Sequence, residues 1–182
     1  MDILSIPETN QLYVVIGGRE ATRRLLDLTT RLALRGPLLL LDCGNHANPL
    51  AIVRELRRLT ADPLAALQHV SVSRAFTCYQ VVALLEQVVG LSNPQPVLVF
   101  DLLATFYDES VSFAEGRRLL ERCFACLTRL CRGAPLLVSA RPPLADFPER
   151  HVFLEMLCKI AGQYWVEVPD LPQRPQQLSL FS

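Results

Sequence analysis

The sequence at positions 96–101 is Pro-Val-Leu-Val-Phe-Asp, four apolar residues in a row followed by a carboxylate. An apolar run of this length, without alternating polar positions, is typical of a strand buried on both faces in a parallel sheet. Two similar runs are LLLLD at 38–42 and PLLVSA at 135–140. These stretches predict an α/β fold, with Asp101 at the carboxyl end of an inner strand.

Strand-like and helix-like segments alternate along the chain. Strands are predicted at 12–16, 38–42, 69–73, 96–101, 135–140 and 164–168, and helices at 19–35, 50–60, 78–90, 113–132 and 152–161. The alternation predicts one α/β domain over residues 1–168, with a mostly parallel central sheet covered by helices on both faces. In such sheets, ligands bind at the carboxyl ends of the strands.

Composition gives no sign of several classes of function. The 18 basic residues balance the 18 acidic ones, so net charge indicates neither a nucleic-acid-binding nor a membrane-binding protein. The apolar runs are strand-length and the start lacks a signal peptide, which predicts a cytoplasmic protein. Cys123, Cys126 and Cys131 fall on one predicted helix without a second ligand pair, so we expect no metal site.

Four segments, in order, resemble the ATPase core of the RecA/RadA recombinase superfamily. They are LLLLDCGNHANPLAIVREL at 38–56, HVSVSRAFTCYQ at 69–80, PVLVFDLLATFYDES at 96–110 and GAPLLVSARPP at 133–143. The resemblance covers roughly residues 12–143. It implies a RecA-like three-layer sandwich, in which Asp101 takes the position of the metal-binding Walker B aspartate.

The phosphate-binding loop of that family is degenerate here. A P-loop has the pattern G-x-x-x-x-G-K-[ST], whose backbone N–H groups and lysine surround the phosphates. The corresponding segment, IGGREATRR at 16–24, has no lysine and no second glycine at that spacing. The family's catalytic glutamate is also missing from 42–45. We therefore expect no cofactor and no hydrolysis, with weak nucleotide binding left as an alternative. The vestigial nucleotide site consists of Gly17, Gly18, Arg19, Thr22, Arg23 and Asp101.

The C-terminal segment 169–182 carries three prolines and ends in Gln-Leu-Ser-Leu-Phe-Ser, which predicts an extended, flexible tail. Its pentapeptide resembles the bacterial sliding-clamp-binding motif. The resemblance implies that the glutamine amide bonds to clamp backbone while the leucines and the phenylalanine enter apolar pockets; the residues are Gln177, Leu178, Ser179, Leu180 and Phe181. The alternative is that this segment packs back on the domain.

Arginines fall on one side of the long helix predicted at 113–132: Arg118, Arg122, Arg129 and Arg132. Such a stripe is typical of a solvated helix face, and the alternative is a surface that contacts DNA or an acidic partner.

Taken together, these features predict a non-catalytic RecA-like accessory protein of bacterial DNA repair or translesion synthesis, tethered to the sliding clamp. It is similar in concept to ImuA-type proteins, RecA-related partners of an error-prone polymerase, so a translesion polymerase or a recombinase is the partner that the domain is expected to bind. Two alternatives remain, a divergent ATP-binding switch or ATPase and a DNA-binding recombination mediator.

Overall fold

Six parallel strands form a single sheet in the computed structural model, which describes residues 8–143 and 148–167. The strands are β1 (Leu12–Ile16), β2 (Leu38–Asp42), β3 (Val70–Arg74), β4 (Val97–Phe100), β5 (Leu136–Ala140) and β6 (Gln163–Val166). Their order across the sheet is β3-β2-β4-β5-β1-β6, and every adjacent pair is parallel. The predicted α/β fold with a parallel sheet is therefore confirmed.

Within the described residues, six helices connect the strands and pack against the sheet: α1 (Arg19–Ala33), α2 (Pro49–Leu59), α3 (Pro63–Gln68), α4 (Cys78–Val89), α5 (Phe113–Gly133) and α6 (His151–Ile160). Short 3₁₀ turns lie at Ala104–Tyr107 and Pro148–Arg150. None of the helices in the described ranges is both long and apolar enough to span a bilayer.

Alternate residues of the inner strands build two separate cores. In β1, Tyr13 and Val15 pack with the apolar faces of α1, α2 and α3, whereas Val14 and Ile16 pack with α4, α5 and α6. This division follows from the period of two along a strand, which sends successive side chains to opposite faces. The sheet is thus the middle of three layers, and the edge strands β3 and β6 remain partly exposed.

The helices change faces where the direction of the chain across the sheet reverses. From β1 the chain moves toward the β3 edge, and from β3 it returns through β4 and β5 to β6. Right-handed crossovers put the connecting helices on opposite faces in the two directions. The carboxyl ends of β2 and β4, and those of β5 and β1, therefore flank crevices of the kind in which α/β proteins bind ligands.

The predicted helices and strands agree with the structure to within about two residues at each end, but helix α3 was not predicted. It has six residues and begins with Pro63. Asp62 caps it, because the Asp62 Oδ1 accepts a hydrogen bond from Ala65 N. A helix of this length shows no periodicity, so only the cap and the proline at its first position indicate it.

Candidate functional site

Two buried aspartates end adjacent strands in the middle of the sheet. Asp42 is the last residue of β2, and Asp101 directly follows β4. The side chain of Asp42 is fully buried, and that of Asp101 is 3% exposed. Asp101 has a φ of 51°, a left-handed conformation that few residues other than glycine, asparagine and aspartate adopt. This backbone turn directs the chain away from the sheet at the crevice between β2 and β4.

Arg141 neutralises Asp101. Its Nε lies 2.5 Å from Asp101 Oδ2, and its backbone N–H donates to Oδ1 at 3.1 Å. Asp101 N donates in turn to Ser139 Oγ at 2.9 Å, and His46 Nε2 lies 3.5 Å from Oδ2. Both carboxylate oxygens therefore accept hydrogen bonds from Arg141, the residue that follows β5, while Ser139 of β5 accepts from the Asp101 backbone. Asp101 holds the ends of β4 and β5 together through a charge-assisted contact.

Asp42 organises the loop that follows β2. Its Oδ1 accepts a hydrogen bond from His46 N at 2.9 Å, its Oδ2 accepts one from Ala47 N at 3.1 Å, and Arg74 Nε lies 3.2 Å from Oδ2. The loop runs so close to Asp101 that a Cβ added at Gly44 would lie 2.7 Å from the Asp101 Cβ. The two carboxylates thus belong to one packed network, in which each has its own arginine.

The connection from β1 to α1 contains only Gly17 and Gly18. Gly17 N donates to Ala140 O at 3.0 Å, and a Cβ at this residue would lie 2.9 Å from Glu167 Cβ. A P-loop needs a longer turn, in which several backbone N–H groups converge on one phosphate. Helix α1 begins directly after the two glycines, without a side-chain cap.

The residues predicted for a vestigial nucleotide site do not all come together. Gly18, Arg19 and Thr22 line a cleft of about 320 Å³ with His46 and Arg141. Arg23 points elsewhere, since it is exposed and pairs with Glu20 at 2.7 Å. Gly17 and Asp101 are buried and do not line this cleft.

The sequence motifs did not indicate the roles of Arg141 and His46, because neither residue belongs to the P-loop pattern. The indication available in the sequence was position alone: Arg141 directly follows a strand that ends at the same edge as β4. Arg141 and His46 bring basic groups to the α1 N-terminus, where helix geometry favours anions. The carboxylate of Asp101, which contacts both, offsets that attraction.

The nearby thiol and phenol stay protonated at neutral pH. Burial, together with the neighbouring Cys123 and the carboxylates of Asp42 and Asp101, raises the pKa of Cys43 well above its ordinary value. Burial also raises the pKa of Tyr107, whose hydroxyl donates to Arg141 O at 2.8 Å. Neither group is activated as a nucleophile, which requires a lowered pKa or an adjacent base.

The predicted arginine stripe divides into two parts along α5. Arg118 pairs with Glu115 at 2.7 Å, and Arg122 pairs across to Glu86 of α4 at 2.6 Å. Arg129 and Arg132 lie near the other end of the helix, and neither has a carboxylate within 4 Å in the described part of the chain. Among the described residues, the first pair of arginines thus forms intramolecular ion pairs and the second pair does not.

The proposed clamp-binding residues, Gln177 to Phe181, lie outside the described residues.

The three cysteines at 123, 126 and 131 are buried on α5 as free thiols. Across residues 8–143 and 148–167, no group of three or more histidine, cysteine or acidic side chains could hold a metal ion.

No protein-family model matches the sequence, and no curated protein matches it.

Proposed function

We propose that this protein is a non-catalytic accessory factor of bacterial DNA repair or translesion synthesis, which binds the sliding clamp through residues 177–181. The observation that carries the proposal is the pentapeptide Gln-Leu-Ser-Leu-Phe. Leu178, Leu180 and Phe181 would each contribute roughly 1.5–3 kcal/mol on burial in apolar pockets. After the cost of ordering the segment, this corresponds to a dissociation constant on the order of micromolar. Gln177 would fix the orientation of the bound peptide.

Two features of the α/β domain support a non-catalytic role. The connection of two residues between β1 and α1 leaves no room for a cradle of backbone N–H groups around a phosphate. Arg141 forms an ion pair with Asp101, the residue at the position of the metal-binding aspartate in the RecA/RadA resemblance. We infer that the domain binds another protein, with a translesion polymerase or a recombinase as the candidate partner.

The test is binding of purified bacterial sliding clamp to the full chain and to a chain that ends at Gln176. We expect micromolar binding for the full chain, and its loss in the shortened chain. Leu178→Ala and Phe181→Ala should each weaken binding at least about tenfold, because burying such a side chain contributes more than the 1.4 kcal/mol that tenfold represents. Gln173→Ala, in the same segment but outside the motif, is the matched control. Equal binding by both chains, or none by either, would refute the tether.

A second candidate function is a divergent nucleotide-dependent switch, and the cleft beside α1 favours it. Arg19 and Arg141 line this cleft together with Thr22 and His46, so that basic groups face the N-terminus of a helix. Calorimetric titration with Mg-ATP tests it: saturable binding that Arg19→Ala abolishes would support a switch. Absence of binding at millimolar nucleotide would exclude it and leave the clamp proposal unaffected.

A further inference from the structure

Basic side chains gather at the amino end of the sheet. The helices run opposite to the strands, so their last turns lie at this end, and four of them carry basic residues there: Arg31, Arg57, Arg58, Arg132 and Lys159. A cation in the last turn stabilises a helix by offsetting its dipole. The dipole explains each position singly, and Arg58 is also paired with Glu55 of its own helix at 3.7 Å.

Two cavities lie at this end, on either side of the loop that precedes β4. Both are lined by Asn93, Pro94 and Gln95. The smaller, of about 180 Å³, lies between α4 and α5 and has Arg129 in its lining. The larger, of about 380 Å³, lies at the end of α1 and has Arg35 in its lining. We call the two cavities together the basic groove.

The smaller cavity is suited to an apolar side chain. Its lining includes Leu39, Val88 and Leu130, and its volume is below the roughly 300–1,000 Å³ of sites for small-molecule ligands. Leu91, also in the lining, is 46% exposed. An apolar patch with an arginine beside it is typical of a surface that binds a protein segment.

Within the part of the chain that the structure describes, the two arginines of the groove have no acidic partners. Among the ion pairs formed by residues 8–143 and 148–167, none includes Arg35 or Arg129. In contrast, Arg118 and Arg122 of α5 are both paired with glutamates. Charge complementarity therefore calls for a ligand that brings its own carboxylates.

We propose that the basic groove binds an acidic peptide segment of a partner protein that carries an apolar side chain. The apolar side chain enters the cavity between α4 and α5, and carboxylates on either side of it pair with Arg129 and Arg35. A single-stranded nucleic acid is a poorer match, because none of the residues that line the two cavities is aromatic, whereas unpaired bases bind by stacking on aromatic rings.

The basic groove would be the surface by which the domain recruits its second protein, and in this respect the proposal rests on the proposed function. Peptide binding at the groove and clamp binding at residues 177–181 involve separate parts of the chain. Either can therefore fail without the other.

The test uses the full chain and a fluorescein-labelled peptide, Gly-Glu-Glu-Leu-Leu-Glu-Glu-Gly, with fluorescence anisotropy as the readout. We expect saturable binding that weakens as salt increases. The variant Arg35→Glu/Arg129→Glu should weaken it at least about tenfold, because each reversal replaces an attraction by a repulsion. A peptide with serines in place of the leucines should also bind at least about fivefold more weakly, since the buried apolar area is lost.

Arg117→Glu is the matched control, because Arg117 lies on α5 at the opposite end from Arg129. It should change peptide affinity less than about twofold. Each variant is checked by its thermal unfolding midpoint, and its clamp binding should equal that of the unmodified chain. The proposal is wrong if the peptide does not bind, if the double variant binds as well as the control, or if single-stranded oligothymidylate binds the groove and the peptide does not.

Discussion

Replacing Arg141 with methionine removes the cation that faces Asp101 and keeps most of the apolar part of the side chain. Removing one partner of a fully buried ion pair costs about 3–5 kcal/mol. Here the Arg141 side chain is 44% exposed, so water replaces part of the lost contact, and Asp101 keeps the backbone N–H of residue 141. We therefore expect Arg141→Met to lower the free energy of unfolding by about 2 kcal/mol. For a chain of this length, the unfolding midpoint should fall by about 4–8 °C.

A double-mutant cycle with Asp101→Asn separates the ion pair from other effects. Asparagine tolerates the φ of 51° at this position, so this substitution removes the charge and leaves the backbone turn in place. Arg141→Met should lower the free energy of unfolding much less when Asp101 is already asparagine, with a coupling energy of about 1–2 kcal/mol. Urea unfolding followed by circular dichroism measures all four proteins. Additivity within about 0.5 kcal/mol would refute our account of this pair. As a control, Arg117→Met breaks the exposed ion pair with Glu121 and should lower the free energy of unfolding by less than about 1 kcal/mol.

Three further predictions concern neighbouring parts of the protein. Gly44→Ala should lower the free energy of unfolding, measured in urea, by about 1–3 kcal/mol, because the new Cβ would overlap Asp101. Gly18→Ala is the control: its Cβ would meet no atom within 4 Å, so the free energy of unfolding should fall by less than about 1 kcal/mol. Cys43 should react with a thiol reagent at pH 8 at least about tenfold more slowly than Cys158 in native protein. Burial raises the pKa of both thiols, but Cys43 is fully buried whereas Cys158 is partly exposed, so a reagent reaches Cys158 more easily. Equal rates would contradict the burial of Cys43. Arg150→Leu should lower the free energy of unfolding by about 3 kcal/mol, because three backbone carbonyls lose the buried guanidinium that donates to them. An unchanged unfolding midpoint would show that those hydrogen bonds contribute nothing.

The arrangement of the site was only partly predictable. The sequence placed Asp101 at the end of a buried strand, since a polar residue after an apolar run marks such an end. It did not indicate that Arg141, 40 residues later, would neutralise this aspartate. That contact requires β4 and β5 to be neighbours in the sheet, and strand order is not encoded in the pattern of either strand.

The arginines of α5 show the same limit. Their spacing predicted one stripe, because helical period depends only on the local sequence. The packing of α4 against α5 then brought Glu86 to Arg122, which is 36 residues away. Arg129, two turns further along, lines a cavity instead. Identical side chains at helical spacing thus have different surroundings, which only the neighbouring helix determines.

By itself, the sequence determined the elements of this protein: apolar runs that become inner strands, amphipathic segments that become helices, and the alternation that makes the sheet parallel. These properties follow from short-range periodicity and from the burial of apolar side chains. The pentapeptide near the C-terminus, too, is a property of the sequence alone. Tertiary structure decided which charged groups meet, namely Asp101 with Arg141 and Asp42 with Arg74, and which arginines are left to face solvent. The reason is physical: a charge interacts with whatever lies within a few ångströms of it, and distant parts of the chain come that close only when the sheet is assembled.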